Sequence, residues 1–170
     1  MENVYSIQNE GSNLTLQCSD NIELKEKVAS AEVVSFDFFD TLFVRDLLNP
    51  EDVFDIMSKI FEIEDFRTQR RSAQVEAFKR MHHDGLKEIN LVGIYDCFDA
   101  CPVSPKELME TEIEVELLLT HPNPELTDLF KSVVECGKQV VLTSDTYLPE
   151  SFFKDIFRLY AIKPVPMYIS

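Results

Sequence analysis

The sequence predicts an α/β fold: a parallel sheet with a long helical block inserted after its first strand. Two apolar runs, "EVVSFDFF" and "KQVVLTSD", end in acids and hydroxyls and have the composition of sheet strands. Amphipathic helical patterns separate them, which implies parallel strands joined by right-handed crossovers. The segment between the first run and the helix preceding the second is far longer than a simple crossover, so it reads as an inserted cap.

Residues 1–20 are polar and weakly patterned, and "NIELKEKVASA" (21–31) has the spacing of a short amphipathic helix. "EVVSFDFF" follows as a strand expected to be buried on both faces. In "LNPEDVFDIMSKIFE", Asn49 is the expected N-cap and Pro50 the first helical residue, with Val53, Ile56, Met57, Ile60 and Phe61 as one stripe. Residues 65–83 form a charged helix stopped near "HHDG", and a short helix is expected over Leu91–Ala100. "SPKE" (104–107) is a capping box. It favours helix for the next segment, although Glu110, Glu112, Glu114 and Glu116 alternate as in a strand. "NPELTDLFKSVVECG" is a helix capped at Asn123 and ended by Gly137. "KQVVLTSD" is the second strand, "LPESFFKDIFRLY" a helix, and "VPMYIS" the start of a third strand.

Charge and composition exclude several functions. The 170 residues hold 31 acids and 16 bases, a net charge of −15. Nucleic acid is therefore not expected as a partner, since phosphate neutralisation needs clustered bases. The cluster Arg67, Arg70, Arg71, Lys79 and Arg80 has the spacing of a solvated helix face, as does the acidic stretch Glu107–Glu116. No apolar run reaches the length of a membrane span, and the start has neither the basic nor the apolar part of a signal peptide, so a cytoplasmic location is expected. Cys18, Cys97, Cys101 and Cys136 lack zinc spacing and are expected as free thiols. His82, His83 and His121 are expected at the surface or in a loop, and Tyr147 and Leu148 in a core or crevice lining.

The chemistry concentrates at the strand ends, where open parallel sheets bind ligands. The first strand ends in Asp37, Asp40 and Thr41, and the second in Thr143, Ser144, Asp145 and Thr146. Carboxylates suit Mg²⁺, whereas hydroxyls and backbone donors suit a phosphate. A carboxylate there can also simply cap a turn.

"SFDFFDTLFVR" is similar to the first motif of the haloacid dehalogenase (HAD) superfamily, a strand followed by Asp-x-Asp-x-Thr, and "VVLTSD" resembles its second. "FDFFDTL" and "SDTYLP" resemble most the HAD-like domains encoded with, or fused to, bacterial glycosyltransferases of surface-polysaccharide synthesis; the likeness spans about residues 24–170. It implies a Rossmann-like core over 1–43 and 136–170, with a helical cap over 44–135. It makes Asp37 the nucleophile of a Mg²⁺-dependent phosphoryl transfer on a phosphosugar or related metabolite. Asp37 and the Phe39 carbonyl would bind the Mg²⁺, Ser144 would bind the phosphoryl group with Thr143 as the competing assignment, and Thr41 would make a local structural bond.

Two departures accompany the likeness. Phosphatases of the superfamily carry an acid two residues after the nucleophile, where this chain has Phe39; Asp40, one further on, is either a displaced acid or a turn residue. The superfamily's third and fourth motifs, a lysine and a set of acids, would follow the third strand. The sequence stops at Ser170 as that strand begins, and Lys163 precedes it, so the C-terminal part of the core is expected to be missing and this length of chain to turn over little. The alternative is a non-catalytic HAD-like module that binds a phosphosugar or positions a glycosyltransferase partner.

Overall fold

The computed structural model describes residues 6–9, 12–15, 22–98 and 102–170. The chain divides into two compact units. One comprises Met1–Val44, His121–Asp145 and Lys154–Ile169; the other comprises Arg45–Thr120, Thr146–Phe153 and Ser170.

The elements run β1 (Ser6–Asn9), β2 (Ser12–Thr15), α1 (Ile22–Ser30), β3 (Val33–Asp37), β4 (Phe43–Arg45), α2 (Asp52–Phe61) and α3 (Phe66–His83). They continue as α4 (Leu91–Tyr95), α5 (Pro105–Leu119), β5 (Thr120–Pro122), α6 (Pro124–Glu135), β6 (Gln139–Ser144), α7 (Glu150–Leu159) and β7 (Met167–Ile169). The fold is mixed α/β, with a parallel three-stranded sheet in the order β3-β6-β7.

In the first unit, β3 and β6 pair from Val33↔Gln139 to Asp37↔Thr143. The strands are not buried on both faces as their composition suggested. Phe36, Val140 and Leu142 are buried, while Val33, Ser35, Asp37 and Gln139 on the alternate face are exposed. The buried face is the one that the helix stripes meet: Phe36 packs edge-on against Phe130 of α6 at 5.2 Å, and Phe130 against Phe157 of α7 at 5.8 Å. Phe38 and Phe43 stack at 4.6 Å beside them. Gly137 ends α6 at φ 75°, which a side chain would strain. Helix α6, assigned from sequence to the inserted block, clusters with the sheet, as expected of a crossover helix packed on its strands.

The second unit is helical. Helix α2 begins at Asp52 rather than at Pro50: Asn49–Glu51 form a turn, in which the Asn49 side chain accepts from the Glu51 N–H at 2.9 Å. Helix α5 is helical throughout. Ser104 accepts from the Glu107 N–H at 3.2 Å, and the buried positions Leu108, Glu112, Val115 and Glu116 fall on one helical face. Thus the alternating acids divide, with Glu112 and Glu116 facing in and Glu110 and Glu114 facing out. Two elements escaped the sequence reading. The β1–β2 hairpin lies within the supposed lead-in, and the β4–β5 ribbon contains the division between the units in both strands. Cys97 and Cys136 are free thiols, while Cys18 and Cys101 lie outside the described residues, as does the end of the helix expected over Leu91–Ala100.

Candidate functional site

Asp37 is the last residue of β3, on the open face of the sheet, so its charge remains in water although Phe36 and Phe38 on either side of it are buried. Its Oδ2 accepts from the Thr41 hydroxyl at 3.2 Å. That bond orients the carboxylate through Oδ2. The following loop returns the chain to β4 through the Phe43 N–H to Phe38 carbonyl bond at 2.9 Å. Asp40 occupies the left-handed position of this loop, φ 55°, a conformation that aspartate tolerates better than most residues. Phe39 is half-buried and packs edge-on against Phe38 at 4.8 Å.

Of the two hydroxyls offered by β6, the register brings Thr143 to Asp37. Paired residues of a parallel ladder share a face, and successive residues alternate. Thr143 is therefore on the open side; its Oγ1 lies 3.3 Å from Ser35 Oγ and 3.3 Å from the Phe36 carbonyl. Ser144 points to the other side with Leu142 and is only 6% exposed. The structure thus brings together Asp37, Thr41 and Thr143, and sets Ser144 apart from them.

One residue on the same row was missed. Thr143 pairs in turn with Tyr168 of β7. Asp37, Thr143 and Tyr168 therefore form one row across three strand ends, on the face where Asp37 is exposed and Tyr168 is 65% exposed. The only sequence signal was the lone aromatic in "PMYIS", too short a run to give a register.

The donors that the likeness implies for a cation are the Asp37 carboxylate and the Phe39 carbonyl. Among the described residues, no three His, Cys, Asp or Glu side chains cluster as a metal-binding group. Such a sparse set fits Mg²⁺ only in its usual phosphate-shared mode, with one or two carboxylates and the remaining positions filled by water and substrate oxygens.

The basic and acidic stretches of the helical unit are not simply solvated faces. Arg70 and Glu112 are fully buried and form a bidentate pair at 2.9 and 3.0 Å. Tyr95 donates to Glu112 at 2.5 Å, and the Arg70 guanidinium lies 4.9, 5.3 and 4.8 Å from the ring centres of Phe54, Tyr95 and Tyr147. Burial alone would lower the Arg70 pKa, but the Glu112 charge and hydrogen bonds more than reverse this and raise it. Burial, then the Glu112 charge, push Tyr147 up to about 12. Burial likewise raises Glu116, against the pull of Arg45 at 2.8 Å. These groups satisfy one another, so the cluster reads as a structural core. A groove of about 1030 Å³ along α3 contains none of the strand-end residues; of its cations Arg71, Lys79 and Arg80, Arg71 pairs with Glu51 and Lys79 with Glu76.

Compared with known proteins, the chain matches no family model, and no curated protein matches it. No helix among the described residues is long and apolar enough to cross a membrane.

Proposed function

We propose that the protein is a HAD-like, Mg²⁺-dependent phosphoryl-transfer domain acting through Asp37 on a phosphorylated small molecule such as a phosphosugar. The observation that carries this reading is the pairing of Asp37 with Thr143 on the open face of a parallel sheet, at its carboxyl end. Asp37 Oδ1 attacks phosphorus, the bond to the leaving group breaks, and the leaving group departs with the electron pair. Water then hydrolyses the aspartyl-phosphate, releasing inorganic phosphate and regenerating the carboxylate. Thr143 donates its hydroxyl to a phosphoryl oxygen, exchanging its bond to the Phe36 carbonyl for one to substrate. Thr41 holds the carboxylate in position throughout. Asp37 and the Phe39 carbonyl would hold a Mg²⁺ ion, which would offset the charge brought together there.

Phe39 supplies no proton to the departing oxygen. General acid catalysis is typically worth roughly 10²–10⁴-fold, so substrates whose leaving groups depart unprotonated are favoured: aryl esters, acyl phosphates and anhydrides. The same Phe39 supports the second reading, a non-catalytic module that binds a phosphosugar or a glycosyltransferase partner.

Hydrolysis of an aryl phosphate by the full-length protein, measured with and without Mg²⁺, tests the proposal. Asp37→Asn abolishes turnover and Thr143→Val lowers it at least tenfold, while Ser144→Ala leaves it within a few-fold of the parent. Turnover unchanged in Asp37→Asn sinks the nucleophile assignment. Phosphate binding without any turnover favours the non-catalytic module.

A further inference from the structure

We infer that Tyr168 is a specificity-determining residue, an aromatic platform that selects phosphorylated ligands carrying a ring. The inference rests on the reading of Asp37 and Thr143 as the phosphoryl site. Tyr168 pairs directly with Thr143, and Thr143 with Asp37, so the three side chains follow one another along a single row. Adjacent strands lie about 4.8 Å apart, which places Tyr168 about 10 Å from Asp37 and one strand beyond Thr143. A phosphoryl group held between Asp37 and Thr143 leaves its attached ring that one strand spacing to cover. Tyr168 is 65% exposed and therefore offers its ring to a ligand.

A scattered surface aromatic needs no explanation by itself. This one stands in register with a carboxylate and a hydroxyl at the carboxyl end of a parallel sheet, where small-molecule sites form. The polar groups give anion recognition without identity, because every phosphate ester offers them the same oxygens. The ring supplies what they lack. It also suits the chemistry at Phe39, since aryl leaving groups need no proton and present a flat face.

Equilibrium binding of two non-hydrolysable probes, phenylphosphonate and methylphosphonate, tests the inference on the 170-residue chain in Mg²⁺ buffer. The parent binds phenylphosphonate about fivefold more tightly, the scale of one aromatic contact. Tyr168→Ala removes this preference and leaves methylphosphonate affinity unchanged; Tyr168→Phe keeps the preference. A preference that survives Tyr168→Ala, or is lost in Tyr168→Phe, overturns the platform while leaving the phosphoryl site standing. Failure of the parent to bind either probe overturns the phosphoryl site, and the platform with it. Circular dichroism of each variant shows that the comparison is between folded proteins.

Discussion

An acid at position 40 can protonate a leaving group only if its carboxyl, rather than its backbone, is what the position needs. The backbone there is left-handed at φ 55°, which glycine adopts without strain and aspartate tolerates. Asp40→Gly therefore keeps the turn and deletes the acid. If Asp40 serves the turn, the glycine variant retains phosphatase turnover and is equally or more stable, whereas Asp40→Val loses about 1–2 kcal/mol to strain. A fall of a hundredfold or more in turnover of Asp40→Gly, measured on an alkyl phosphate, would instead make Asp40 the displaced acid. At this scale the sequence was informative about which residues end the strands, because runs such as "VVSFD" and "VVLTS" have few alternatives. It put Ser144 ahead of Thr143 for the phosphoryl contact, and the register reverses that order. A slip of one residue reverses every side chain, and only the observed register separates them.

At the scale of elements, helices α2, α3, α6 and α7 were legible because each carries an apolar stripe or clear start and stop residues. Strands β4 and β5 are three residues each, shorter than any periodicity can register. The pairing of α3 with α5 was hidden for another reason: charged residues at helical spacing look alike whether they face water or each other. Arg70 and Glu112 face each other with no exposure. Removing one partner strands a buried charge, so Arg70→Met and Glu112→Leu each lose about 3–5 kcal/mol. The double variant Arg70→Met/Glu112→Leu recovers much of that loss, giving a coupling energy above about 1 kcal/mol in urea unfolding. Additive single losses would show that the pair contributes nothing as a pair.

Taken as a whole, the molecule carries a net charge of −15 and sets Tyr95 and Tyr147 around the buried Arg70–Glu112 pair, and these hydroxyls make it sensitive to alkali. Tyr147 shows the sign. Its pKa rises from 10.0 to about 12 on folding, chiefly through burial and then through the Glu112 charge. The folded protein thus keeps a proton that the unfolded chain has already lost between those pH values. The corresponding stability is complete below pH 10 and is lost as pH rises through about 12. At about 1.4 kcal/mol for each pH unit, the loss from this one hydroxyl is about 2–3 kcal/mol. Tyr95 adds to it in the same direction, since burial and Glu112 raise its pKa as well. Tyr147→Phe has no proton to lose: relative to the parent its unfolding free energy falls less steeply between pH 10 and 12. Parallel curves for parent and variant in urea titrations at pH 9, 10, 11 and 12 would show that Tyr147 ionises as freely in the folded protein as in the unfolded chain, and that the Arg70–Glu112 cluster does not enclose it.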